Sequence, residues 1–508
     1  MIVRPEDAPG DLVEHADVVV IGTGAGGAVV ATELAEAGAR VTLIEEGEFH
    51  TARDFTGRPL EQTRLLYRDR GMTGTFGNTF IPVPLGRSVG GTTTINSGTC
   101  FRTPDDILRR WEREFGIPTL ADAGLAPEFE RVEQAIHVAP VPEELLGPSA
   151  KIFRRGVEAL GFHGAAIPRN AAGCRGTGVC VFGCPRDAKQ SMNVSYIPRA
   201  LRAGARLHVR SRADRVLIED GRAIGVAAER LRASGRSRNE RLWVLADRVV
   251  VSAGALLTPV LLARSGAARR GGPLGRHLHI HPATRVLALF DEPVRAWEGV
   301  PQSYHVSDFG HEGIMLEGIS VPPSLQAVTL PGFGFAHKQR MAAYERMASF
   351  GAMVSDTSEG RVFATGARPL VWYWLNRDDV NRLQRAISIV ARTFFAAGAR
   401  ELYPGVRQCP VVGSAQEAEA LASRSLRAAD LELMAFHPMG TARMGTDPNR
   451  CAVAPSGELF GVRGLYVADA SLFPTSTRVN PQLTIMAFAT RIAAGIAGTL
   501  ATRAPAAG

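Results

Sequence analysis

The run Asp17-Val-Val-Val-Ile-Gly22 passes without a break into Thr23-Gly24-Ala25-Gly26-Gly27, and this junction restricts the fold more than any other part of the chain. Residues 17 to 22 read as a buried parallel strand, 26 to 37 as a helix and 40 to 45 as a second strand, which together make a βαβ unit. In such a unit Gly22 permits the tight turn, Gly24 lets a pyrophosphate approach the backbone, and Gly27 allows the helix to pack close to the strand. The helix start offers unpaired N–H groups and a positive dipole end. Glu45 ends the second strand 18 residues after Gly27, where a carboxylate accepts hydrogen bonds from ribose hydroxyls. Ala25 and Glu46 complete this candidate nucleotide set. A dinucleotide-binding α/β fold is expected, and the fingerprint alone leaves the identity of the dinucleotide open.

At 508 residues, 45% of them hydrophobic, the chain can bury a large core, and its length suggests about three domains. With 21% charged residues and 54 glycines, it is neither collagenous, coiled-coil nor disordered. The net charge of +8 is scattered and carried almost wholly by arginine, the lysines being Lys151, Lys189 and Lys338. No segment combines basic and aromatic residues as a nucleic-acid binder does, so no nucleic-acid partner is expected. No run of about 18 uncharged apolar residues occurs, so no transmembrane segment is expected. The start, MIVRPEDAPGD, lacks the basic and apolar regions of a signal peptide. The expected location is cytoplasmic, with export alongside a partner left open.

Residues 50 to 87 are rich in Gly, Thr and Pro and read as a long irregular segment. Segments between 206 and 255 read as an antiparallel meander and a buried strand. From about 282 to 374 the strand-like pieces RVLALF, GIMLEGIS, GAMVSD and PLVWYWL suggest a separate antiparallel sheet, followed by a helix from Asp378 to Ala397. GLYVADA is a further strand, and a helix begins near Gln482. We therefore divide the chain into a discontinuous nucleotide-binding domain (13–105, 200–285 and 426–508) and a substrate lobe (106–199 and 286–425) that contains the cysteine segment 174–184.

Downstream motifs bear on the choice of dinucleotide. Gly86-Arg87-Ser88-Val89-Gly90-Gly91-Thr92-Thr93-Thr94-Ile95-Asn96 resembles the first signature of the glucose-methanol-choline (GMC) oxidoreductase family, and the segment Gly254–Gly266 resembles its second. The likeness continues through LGRHLHIHP at 274–282 and the terminal segments, and is weakest over 286–425. Two departures occur: the aromatic expected after Asn96 is displaced to Phe101, and Ala268 stands where glycine usually ends the second signature. The resemblance implies FAD as cofactor, held by Arg87, Gly90, Gly91, Thr92, Asn96, Ser97, Gly98, Ala213, Asp469, Ala470, Pro481 and Gln482 besides the glycine turn. Some relatives attach flavin through a histidine just before the asparagine; Ile95 occupies that place, so the FAD is expected to be non-covalent.

The segment Phe436-His437-Pro438-Met439-Gly440 resembles the family's catalytic histidine segment, and Val479-Asn480-Pro481-Gln482 its partner. The resemblance assigns His437 as general base and Asn480 as the group orienting the alcohol oxygen. A neutral imidazole accepts a hydroxyl proton near pH 7 while hydride passes to the flavin. The long-chain alcohol and sterol branch is the best match, which implies oxidation of a bulky hydrophobic alcohol to an aldehyde or ketone. Oxygen or another electron acceptor reoxidises the flavin. A sugar or polyol dehydrogenase is the runner-up; a hydroxynitrile lyase and a non-catalytic flavoprotein are the readings from other classes. The resemblance leaves room for a small escort or electron-transfer subunit.

Cys174, Cys180 and Cys184 have the spacing C-x5-C-x3-C, similar to sugar dehydrogenases of this family that carry a 3Fe–4S cluster. The competing reading makes them structural and metal-free; zinc lacks an evident fourth ligand. His277, His279 and His281 alternate, but they fall in the family's Gly-Arg-x-Leu-x-x-His-Pro segment rather than in a metal motif. Glu317 reads as a solvated strand residue in preference to a substrate-binding carboxylate. Trp372, Tyr373 and Trp374 read as core and interface packing.

Overall fold

A computed structural model of the chain describes residues 1–269 and 271–501. The strand Leu12–Ile21 is apolar at its C-terminal half because both faces of the sheet are covered there, and Val18, Val19 and Val20 are wholly buried. It pairs in parallel with Val41–Ile44 on one side and with Ser237–Val251 on the other. Among the described residues the sheet has eight strands, running from Ile2–Val3 through Arg206–His208, Val41–Ile44, Leu12–Ile21, Ser237–Val251 and Arg222–Leu231 to Ser211–Glu219. Leu465–Val467 adds in parallel to the end of Ser237–Val251. Segments from the beginning, middle and end of the sequence thus share one sheet.

Helix Ala25–Glu36 covers this sheet and packs against the last helix, Gln482–Ala501. Within it, Gln482–Leu500 is long and apolar enough to cross a membrane by length and composition, which corrects the expectation that nothing in the chain passes that test. Its window is 56% buried inside the fold, and Arg491 pairs with Glu128 at 2.9 Å. We read it as a core helix.

A second sheet is wholly antiparallel: Glu401–Tyr403, Ala283–Leu289, Met347–Val354, Ile314–Gly318, Tyr304–Val306 and Gly164–Ala166, in that order. Alternation sorts its two faces. Phe350, Ala352, Ile314 and Leu316 pack with the helices Pro148–Ala159 and Arg377–Ala396, where the Phe153 ring stacks on Phe350 at 3.6 Å. Met315, Glu317 and Met353 project from the opposite face. PLVWYWL does not join this sheet: Arg368–Trp372 forms a separate hairpin with Arg361–Thr365. Tyr373 is buried as expected, whereas Trp372 and Trp374 are exposed.

Candidate active site

At the glycine turn the backbone is packed against its neighbours. Gly22 has φ +94°, and a Cβ there would lie 2.3 Å from the Ser252 carbonyl oxygen; one on Gly26 would lie 1.7 Å from that of Ala468, and one on Gly27 2.1 Å from that of Gly22. Gly24 is different, because a Cβ there would meet nothing within 4 Å. The helix that starts at Ala25 has no side-chain cap, so its first N–H groups face the open space beside Gly24. Uncapped amides, room for a ligand and the carboxylate of Glu45 at the strand end fit the pyrophosphate and ribose of a dinucleotide. Glu45 accepts from Thr23 N (3.1 Å), Thr23 Oγ1 (2.6 Å) and Gly47 N (2.8 Å). Burial nevertheless pushes its carboxyl above the usual range.

The other residues expected at the cofactor are spread around this turn. Gly90 donates to Thr23 Oγ1 at 3.1 Å, Thr92 Oγ1 accepts from Gly86, and Gly91 approaches Gly24. Asn96 Nδ2 donates to Gln482 Oε1, at the start of the helix that follows Pro481. Gly98 N donates to Asn96 Oδ1, and the Ser97 carbonyl accepts from Arg169. Asp469 is buried and accepts from Gly254 N, Thr258 Oγ1 and Ser471 N, which fixes Ala470 beside the histidine segment: Gly440 N donates to Ala470 O at 3.0 Å. Ala213 lies on Ser211–Glu219, whose first residue donates to the Glu45 carbonyl. Glu46 is ion-paired with Arg68 at 2.6 Å, and the Arg87 guanidinium lies against the turn at Gly235.

His437 and Asn480, far apart in sequence, meet with Asn480 Nδ2 3.4 Å from His437 Nε2. Behind His437, its Nδ1 is 3.2 Å from Nδ1 of His281, whose Nε2 is 2.6 Å from Ser476 Oγ. Burial, reinforced by His281, pulls the His437 imidazole well below its ordinary value, and burial takes His281 down to about 4. Both rings are neutral at pH 7. Asp356 accepts from Ile280 N and His281 N and from the Tyr373 hydroxyl, and it lies 3.6 Å from His279. His277 pairs instead with Glu359. The three alternating histidines thus have three different partners.

Glu317 corrects the sequence reading, because it is buried rather than solvated. Its Oε2 accepts from Gln302 and, at 3.4 Å, from Asn480 Nδ2, while Oε1 is buried without a partner. Burial raises this carboxyl to about 7. Asn480 Oδ1 is likewise buried and unpartnered. Around these polar atoms Met315, Met353 and Val479 form a small apolar cluster with Phe101 and Ala283 against it. Phe101 meets the His305 ring edge-on at 4.8 Å.

Cys174, Cys180 and Cys184 line one cavity of about 10 Å³, together with Arg169 and Lys189. That volume is about what one water-sized probe occupies. Among the described residues no group of three or more His, Cys, Asp or Glu side chains could hold a metal ion. The 3Fe–4S expectation is therefore not supported. Arg169 Nη2 lies 3.2 Å from Cys180 Sγ, and Lys189 Nζ donates to the carbonyls of Thr94, Asn96 and Cys180. The segment thereby anchors the 94–98 loop.

A nucleotide fold joined to an antiparallel lobe, with a histidine–asparagine pair between them, fits a dinucleotide-dependent oxidoreductase. The GMC oxidoreductase N-terminal family model matches residues 63–283, the C-terminal one residues 356–489, and an FAD-binding domain model residues 17–55. Over 496 residues the chain is 41% identical to the uncharacterized GMC-type oxidoreductase Rv0492c of Mycobacterium tuberculosis, covering 97% of this chain and 77% of that one. It is 29% identical to the long-chain-alcohol oxidase FAO3 of Arabidopsis thaliana, over 96% of this chain and 68% of that one. Among solved structures, pyridoxine 4-oxidase from Mesorbium loti superposes with a TM-score of 0.72 at 22% identity, covering 94% and 98% of the two chains. The chain belongs to the GMC oxidoreductase family and is an FAD-dependent oxidoreductase acting on a small molecule with an electron acceptor.

Proposed function

We propose that the protein oxidises a bulky, largely apolar alcohol to an aldehyde or ketone with non-covalently held FAD. His437 is the general base and Asn480 the oxygen-orienting group. The observation that carries this reading is the pairing itself, His437 Nε2 and buried Asn480 Nδ2 at 3.4 Å. FAD, when bound, supplies the hydride acceptor. The remaining work falls to the chain. For Nε2 to accept the hydroxyl proton, His437 must carry its own proton on Nδ1, and the neighbouring Nδ1 of His281 accepts that hydrogen bond. His281 then donates from Nε2 to Ser476 Oγ. The low proton affinity of His437, set by its desolvated surroundings, keeps Nε2 free at neutral pH. Asn480 Nδ2 holds the alcohol oxygen, and the cluster of Met315, Met353 and Val479 excludes water and favours an apolar chain. The long-chain-alcohol oxidase relatives support the same substrate class.

The test is anaerobic mixing of the FAD-loaded protein with a long-chain primary alcohol, a sterol and glucose, following loss of oxidised-flavin absorbance. Bleaching by an apolar alcohol is expected, and bleaching by glucose alone would refute the substrate class. His437→Ala should slow bleaching by about 100-fold or more. An undiminished rate would remove His437 from the role of base. Acid precipitation should release the flavin into the supernatant.

A further inference from the structure

Two stretches that are distant in sequence build one exposed aromatic face. Phe76 N donates to Val371 O at 2.7 Å and Tyr373 N to Phe76 O at 2.8 Å, which fastens the 72–80 loop to the hairpin of Arg361–Thr365 and Arg368–Trp372. Asn78 secures the join through both its amide oxygen and nitrogen on Leu375. Outside this join lie Met72, Phe76, Phe80, Phe363, Leu370, Trp372 and Trp374, all exposed, with Phe76 at 58% and Trp374 at 56%. Phe363 is opposite Leu370 and Arg361 opposite Trp372 in the hairpin register, and the two tryptophan rings stack at 6.4 Å. Scattered exposed apolar residues are ordinary, but a contiguous group of this kind marks a contact surface.

Charge selects the partner. Residues 69–82 and 361–375 carry three arginines, Arg70, Arg361 and Arg368, against one acid, Asp69, and all three arginines are exposed. Glu359, the acid nearest the hairpin in sequence, is engaged by His277 at 2.7 Å. A second copy of the chain meeting this face would set like charges together, whereas an anionic bilayer offers phosphates to the arginines and an interfacial layer to the tryptophans. The face also adjoins the site, because Ala435 N donates to Pro82 O immediately before exposed Phe436 and half-buried His437. We propose that this aromatic and basic face docks the protein on an anionic lipid surface, beside the entrance through which an apolar substrate reaches His437. The docking does not depend on which alcohol is oxidised.

The test is flotation of the FAD-loaded protein with vesicles of phosphatidylcholine, with and without phosphatidylglycerol. Wild type should float with the anionic vesicles, shift its tryptophan emission to the blue, and bind more weakly in high salt. Arg361→Glu combined with Arg368→Glu should weaken binding to anionic vesicles by about 30-fold or more, from about fivefold for each positive charge lost. Trp372→Ser with Trp374→Ser should abolish the emission shift, and the Trp→Phe pair should retain flotation. These side chains are exposed, so unchanged circular dichroism will show that the variants fold. Failure of wild type to float at low salt, or flotation indifferent to all four substitutions, would overturn the proposal. Dimers in solution that dissociate with the tryptophan variant would also overturn it, by showing that a second copy covers the face.

Discussion

Replacing Glu317 by Gln should stabilise the protein in a pH-dependent manner, with a size set by the burial of this carboxyl. Its folded value is about 7 against an ordinary 4.5. At about 1.36 kcal/mol per pH unit, an ionised Glu317 costs the fold about 3 kcal/mol. The group is raised in the folded state, so its favourable contribution is fully present below pH 4.5 and is lost as pH rises through about 7. Glutamine keeps the shape and can turn its amide oxygen toward Gln302 and Asn480 without ever ionising. Variant and wild type should therefore melt alike near pH 4.5, and the variant should gain steadily up to pH 7 and then level off. With an unfolding entropy of about 2.1 cal/mol/K per residue, 3 kcal/mol in a chain of this size corresponds to a melting shift of roughly 3 °C. The assay is thermal unfolding of the FAD-loaded proteins from pH 4.5 to 8.5. A difference that is constant across the range, or largest at the acid end, would refute the assignment of a neutral, buried Glu317.

Other substitutions separate fold from ligand. Gly26→Ala places a Cβ 1.7 Å from the Ala468 carbonyl oxygen, so it should yield protein with lowered melting temperature and little flavin absorbance. Gly24→Ala meets only open space and should fold normally while losing affinity for FAD, as read by flavin titration. Asp356→Asn removes the nearer of buried His279's two counter-charges, leaving Glu359 at 4.0 Å, and should destabilise by about 3 kcal/mol. Burial opposes protonation of His279, but Asp356 outweighs it and raises the imidazole. That pairing therefore stabilises most at low pH, and denaturant melts should show the loss to be larger at pH 6 than at pH 9.

The parts of the site legible in sequence were those whose chemistry is local. The glycine turn announces itself because strand, turn and helix follow one another within a few residues. His437 and Asn480 were found by their flanking prolines and glycines within family segments. A single acid in GIMLEGIS looks like the solvated side of a strand, and the contacts that bury Glu317, from Gln302 and Asn480, come from elsewhere in the sequence. The partnership of His281 with His437 rests on a contact across 156 residues, which no short motif encodes. PLVWYWL has strand propensity that the structure honours, but its register partner is Arg361–Thr365 rather than the large sheet. The cysteine spacing invited a cluster, and spacing could not show that Arg169 and Lys189 occupy the same cavity as the three thiols.

The packing of the last helix, Gln482–Ala501, on the helix of the glycine turn also bears on biosynthesis. The first βαβ unit leaves the ribosome early, but the strand that extends its sheet and the helix that covers it come last. At about 5–20 residues per second, residue 501 follows residue 36 by roughly 20 to 90 seconds. Throughout that interval the early helix lacks the part of its cover that the last helix supplies, and Asn96 lacks Gln482. The nascent chain therefore exposes apolar surface until then, and flavin capture at this turn follows synthesis of the helix Gln482–Ala501.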